Sequence, residues 1–147
     1  EESLSPREGK EVAGCRWQTH ATADAATDVQ KTLNVEMDEK AAAYLAIYVY
    51  SPLARDVLLD SPEMIDLAVG SADGVRGWLN GEEIVSVEAR RPWGPDQNRI
   101  RGVKLKAGWN LLVLKVAQQE MGWKVSARFL TSSGAPAADL KYAFAPP

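Results

Sequence analysis

From residue 64 onward the chain alternates short apolar runs with turn residues at spacings near ten: "MIDLAVG", "GVRGWLNGEEIVSV", "RGVKLKAGWNLLVLKVA" and "GWKVSARFL". Runs of that length, broken at that interval, predict the antiparallel strands of an all-β sandwich. We place strands at 65–70, 75–79, 82–87, 101–106, 110–117 and 123–129. Asn80-Gly81 is the sharpest local signal. It fits a two-residue type I′ hairpin, in which both central residues need positive φ. "SADG", "KAGW" and "QQEMG" supply three further turns.

Upstream the pattern is less uniform. "DEKAAAYLAIYVYSP" opens with helix formers, but from Tyr44 it sets Tyr44, Ala46, Tyr48 and Tyr50 against Leu45, Ile47 and Val49. Tyrosine and β-branched residues favour a strand, placed at 42–50 and ended by Pro52. "TADAATDVQKTL" reads as one helical turn, and the overlapping "ATDVQKTLNVEM" reads equally well as an extended edge. Residues 1–10, with Pro6, Gly9 and mixed charge, read as a linker or loosely attached segment, and "AFAPP" reads as the exit into another. A single β-sandwich domain over 11–145 is the expected organisation.

The phrases "AYLAIYVYSP", "VGSADGVRGWLNGEEI" and "VKLKAGWNLLVLKVAQ" together resemble the galactose-binding-domain-like jelly rolls attached to secreted bacterial carbohydrate-active enzymes. There a "GSDDGVKVWLNGK" hairpin precedes a "LKAGWNxLLxKV" strand. The resemblance covers roughly 42–130. It departs at Ala72, where the pattern prefers Asp, at Gly77, where it prefers an apolar side chain, and at "DSPEM", which looks inserted. The resemblance implies a non-catalytic module, often carbohydrate-binding and otherwise a spacer. It identifies hairpin and core positions and transfers no sugar contact. Modules of this type often carry a structural calcium, for which "TADAATD" and "NVEMDE" offer oxygens without any EF-hand spacing.

Composition narrows the alternatives. The chain has 147 residues, 46% hydrophobic and 25% charged, enough for one real core. With 17 basic against 20 acidic residues there is no strong field to steer nucleic acid or an anionic membrane, so neither is an expected partner. No apolar run approaches a membrane span, and "EESLSPREGKEVAG" holds no signal-peptide segment. The first residue is Glu rather than Met, which fits a mature fragment or excised module. The resemblance implies an extracellular place, secreted or on the cell surface, appended to the catalytic domain of a larger chain.

Catalytic constellations are missing from the pattern. Cys15 and His20 are each single, which excludes an internal disulfide and the common Cys/His zinc sets. Cys15 reads as a small buried or half-buried apolar side chain. Triads would have to pass through His20, and no nucleophile elbow or phosphate-binding glycine loop occurs. Asp56, Asp60, Glu63 and Asp66 cluster in sequence but read as solvated charges. No cofactor is expected beyond the calcium considered above.

Five Trp against two Phe make the aromatic residues the informative class, since Trp stacks well on sugar C–H faces. Trp78 and Trp109 fall among the predicted strands and read as packing; Trp17 is undecided. "RRPWGPDQNR" holds Trp93 between Pro92 and Pro95 on a stiff loop. If the strands alternate in direction, the turn 71–74, the loop 88–100 and the turn 118–122 emerge at one end. That end would gather Asp73, Arg90, Arg91, Trp93, Asp96, Gln97, Asn98, Arg99, Gln118, Gln119, Glu120 and Trp123. The candidate carbohydrate-binding residues are therefore Trp93, Trp123, Arg90, Arg91, Asp96, Gln97 and Asn98. The competing reading has Arg91 and Arg99 tying down Asp96 while Trp93 covers the core. The expected function is a non-catalytic module that targets an appended enzyme to a polysaccharide, a β-glucan or another plant or microbial glycan. The alternative is a structural or protein-interaction β-sandwich of a larger secreted or cell-surface protein.

Overall fold

A computed structural model of the chain describes residues 5–35, 41–55 and 63–145. Its elements are β1 (Glu11–Val12), β2 (Cys15–Arg16), β3 (Thr27–Asp28), α1 (Val29–Leu33), β4 (Ala41–Ser51), β5 (Ile65–Ser71), β6 (Val75–Leu79), β7 (Glu82–Val87), β8 (Asn98–Ile100), β9 (Gly108–Gln118), β10 (Lys124–Thr131) and β11 (Lys141–Ala143). One sheet has the order β3-β10-β5-β8 and the other β11-β4-β9-β6-β7, with a small β1-β2 hairpin apart. The strands pair antiparallel throughout the described ladders. The fold is all-β, in an arrangement consistent with a sandwich.

Alternation explains the core. Leu67 and Val69 of β5, Val125 and Phe129 of β10, Val49 of β4, and Leu112, Leu114 and Val116 of β9 form one buried apolar cluster fed by both larger sheets. Each such side chain contributes roughly 1.5–3 kcal/mol of burial. The Asn80-Gly81 turn has φ of +51° and +84°, as the hairpin rule requires. Asn80 also binds β9: its Oδ1 accepts from the Leu111 amide at 2.9 Å and its Nδ2 donates to Asn110 Oδ1 at 2.8 Å. Gly77 stands where an added Cβ would come within 2.7 Å of Val85 Cγ1 and 2.8 Å of Leu114 Cδ2, so these two side chains fill the place an apolar residue would take.

Four sequence expectations change. The strand expected at 101–106 is β8 at Asn98–Ile100 followed by a kink at Gly102, with φ of +63°, and one isolated bridge from Leu105 to Arg55. The kink arises because buried Asp66 draws the Gly102 amide onto its Oδ1 at 2.9 Å. The ambiguity of "TADAATDVQKTL" resolves as both readings: β3, then α1 capped by Asp28, whose side chain accepts from the Lys31 amide. Pro6 is buried rather than loose, and its carbonyl accepts the Tyr48 hydroxyl at 3.2 Å. Cys15 is exposed on the β1-β2 hairpin, because that hairpin projects from the sheets instead of packing into them. Asp56, Asp60, most of "NVEMDE" and part of "DSPEM" lie outside the described residues.

Candidate functional site

All seven residues of β5 are buried, although only alternate ones can face the core. The outward set, Asp66, Ala68 and Gly70, is covered from the segment 88–101: Arg99 of the edge strand β8 and Arg101 beyond it reach Asp66, while Trp93 and Gly94 lie over Gly70. Gly70 permits this contact. A Cβ there would overlap the Gly94 carbonyl oxygen and sit 2.9 Å from Ser126 Oγ and 3.0 Å from Trp93 Nε1.

The segment begins at the end of the sheets. The Asp73 amide donates to the Arg91 carbonyl at 2.9 Å, and Asp73 Oδ2 accepts from the amides of Gln119, Glu120 and Met121 at 2.9, 3.0 and 3.1 Å. Arg90 donates to Gln119 Oε1 at 3.1 Å and to Glu120 Oε1 at 3.3 Å. The turn 71–74, the start of the loop and the turn 118–122 therefore meet at one end, as strand parity implies.

From Pro92 the chain turns back along the sheet. Trp93 donates its Nε1–H to Ser126 Oγ on β10 at 3.0 Å and is half-buried. Gln97 spans the loop, its Nε2 donating to the Pro92 carbonyl at 2.9 Å and its Oε1 accepting the Ser71 amide at 2.9 Å. Asp96, in a left-handed turn with φ of +52°, accepts from Arg128 through both carboxylate oxygens, with Nε bonds of 2.9 and 3.1 Å. Hydrogen bonds from Arg128, opposed in part by burial, hold the Asp96 carboxyl below its ordinary value, and Asp96 raises Arg128 in return. Arg91 donates to Ser71 O, Ser71 Oγ and Asn98 Oδ1. Arg99 and Arg101 both reach Asp66, which is fully buried.

The structure thus gathers Arg91, Trp93, Gln97 and Asn98 over the end of β5 and leaves Arg90 at the rim above them. Asp96 and Arg99 lie along the sheet face and not at its end. The pairing expected for Asp96 also changes, since its partner is Arg128 on β10. Trp123 leaves the set. It is 5% exposed, belongs to the core cluster and donates its Nε1–H to the Val116 carbonyl at 3.1 Å. Its parity with Val125 and Phe129 turns it inward, a signal readable in the sequence. Ser126 and Arg128, which complete the surface, were missed although the same alternation turns both outward.

Two concavities lie elsewhere. A shallow depression of about 430 Å³ beside Arg90 is lined by Arg76, Lys115, Glu88 and Gln119. A cleft of about 500 Å³ opens between the N-terminal segment and the sheets, with Trp17 and His20 on one wall and Leu45, Ile47, Leu114 and Ala127 on the other. His20 Nε2 lies 3.4 Å from Thr32 Oγ1 at its rim.

In "TADAATD", Asp28 Oδ1 caps α1, and no group of three or more His, Cys, Asp or Glu side chains converges among the described residues. No helix among those residues is long and apolar enough to cross a membrane. Comparison with known proteins gave no matching family model, no similar curated protein and no similar solved structure.

Proposed function

We propose that the chain is a non-catalytic carbohydrate-binding module, a galactose-binding-domain-like jelly roll that holds an appended enzyme of a larger secreted or cell-surface protein on a polysaccharide. One observation carries this reading: Trp93 is half-exposed, yet its ring is pinned through Nε1 to Ser126 and bordered by polar side chains already held in place. A sugar ring needs an apolar plane for its C–H face and fixed polar groups for its hydroxyls, and a rigid platform loses little entropy on binding. Trp93, Arg91, Gln97 and Asn98, with Arg90 and Asp96 at the margin, are the proposed contacts. Tethering there would raise the effective concentration of enzyme at its substrate.

A second reading has its own support. Arg90, Asp96 and Gln97 already bond within the protein, as expected of a loop that only covers the sheet in a structural or interaction domain. Affinity electrophoresis through gels containing laminarin, barley β-glucan, xylan, galactan or pectin separates the two. The first reading expects retardation in at least one gel relative to a non-binding protein. Equal mobility in every gel rejects it in favour of the second.

A further inference from the structure

Arginine pairing around the loop is uneven. Arg90 meets Glu120, Arg128 meets Asp96, and Arg99 and Arg101 share Asp66. Arg91 differs. It is half-buried, and among the described residues its guanidinium bonds only neutral acceptors: the Ser71 carbonyl at 3.3 Å, Ser71 Oγ at 3.2 Å and Asn98 Oδ1. Those bonds use Nε and Nη2, while the two Nη1 donors carry none among the described residues. Asp96 is committed to Arg128, while Asp73 binds the turn amides through Oδ2 alone; its buried Oδ1 has no hydrogen-bond partner among the described residues and forms no ion pair with Arg91 there.

A guanidinium withdrawn from water without an opposite charge is unfavourable, and its planar donors match a carboxylate better than a hydroxyl. Arg91 is also held close to the platform. It seats on Ser71 and Trp93 seats over Gly70, consecutive residues of β5.

We propose, building on the carbohydrate-binding reading, that the glycan taken at this loop is acidic, and that Arg91 pairs with the carboxylate of a uronate residue whose ring lies against Trp93. The neutral hexose hydroxymethyl group would leave the Arg91 charge unanswered. The acid at the same carbon would neutralise it.

The test is affinity electrophoresis of the intact chain in polygalacturonate and alginate and in the neutral glycans galactan and laminarin, followed by competition with galacturonate against galactose. The proposal expects retardation in an acidic gel and reversal by galacturonate at concentrations where galactose has no effect. It expects Arg91→Gln to weaken binding by about tenfold or more, the range of a lost charge-assisted pair. Since Arg91 also ties Ser71 to Asn98, Arg91→Lys and circular dichroism of both variants accompany the binding assay; Lys keeps the charge without the fork and should retain part of the affinity. Retardation by neutral glycans alone overturns the acidic ligand while leaving the carbohydrate reading intact. Equal displacement by galactose, or unchanged acidic binding in folded Arg91→Gln, overturns the role of Arg91. Equal mobility in all gels overturns both proposals together.

Discussion

Replacing Gly70 with alanine adds one methyl group at the point where the Trp93 loop touches the sheet. Gly70 has no positive φ, so the backbone itself accepts alanine, and in open space the change would stabilise by about 0.4–1 kcal/mol through the unfolded chain. The structure reverses that sign. The new Cβ would overlap the Gly94 carbonyl oxygen, which is backbone and cannot rotate away, and would press on Ser126 Oγ and Trp93 Nε1 at 2.9 and 3.0 Å. Overpacking of this kind costs about 1–3 kcal/mol. Lifting the loop also breaks the Trp93–Ser126 hydrogen bond, worth about 1 kcal/mol. The sum, about 2–4 kcal/mol, corresponds to a Tm lower by roughly 6–16 °C for a chain of this size. Thermal melting followed by circular dichroism, with tryptophan emission recorded on the same samples, reads both parts. Gly70→Ala melting at or above the wild type, with unchanged emission, would refute the seating of the loop on β5.

Other consequences follow from the same contacts. Asp73→Ala strips the acceptor from three turn amides and should lower the urea midpoint by the equivalent of about 2–4 kcal/mol, whereas Asp73→Asn keeps an oxygen and tolerates the φ of +60°, recovering most of the loss; equal midpoints for the two variants would contradict this. Trp123→Ala should cost about 3–5 kcal/mol as a core cavity, well above the cost of Trp93→Ala, and an equal effect on denaturation would contradict the opposite placements of the two rings. The carboxyl of Asp96 is lowered by Arg128, so its contribution is fully present above the ordinary aspartate value of 3.8 and is lost as pH falls through the lowered value. Acid melts of wild type and Asp96→Asn should therefore differ at neutral pH and converge as the pH falls below that range; a constant difference would contradict the pairing.

How much of this the sequence disclosed depended on the range of the interaction involved. The Asn80-Gly81 hairpin was legible because its constraint is local, two successive residues with positive φ. Strand β4 was legible because the alternation continues through seven residues, Tyr44 to Tyr50. The kink at Gly102 was not, since its cause is Asp66, 36 residues away in sequence and fully buried. Asn110 was likewise invisible as a structural hub. Its amide donates to the carbonyls of Lys106 and Gly108 nearby, but its bonds to the Val49 carbonyl on β4 and from the Asn80 side-chain amide in the hairpin turn join segments 61 and 30 residues away, which only the assembled sheet brings together.

The candidate surface was half legible. Strand parity correctly brings Asp73, Arg90 and the turn 118–122 together. It says nothing of where a loop goes after leaving its strand, and beyond Pro92 this one folds onto the sheet because Gly70 leaves a flat place for it. Trp123 was assigned by its nearness to a turn, when the alternation with Val125 and Phe129 already turned it inward.

The central claim is that Trp93 is a ligand platform and not merely a cover. Isothermal calorimetry of the intact chain with the glycan that retards it most, in wild type and in Trp93→Ala shown to be folded by circular dichroism, tests it directly. The account predicts saturable binding in the wild type and a loss of about tenfold or more in the variant, equivalent to at least about 1.4 kcal/mol of stacking and ordering. Superimposable isotherms would contradict it.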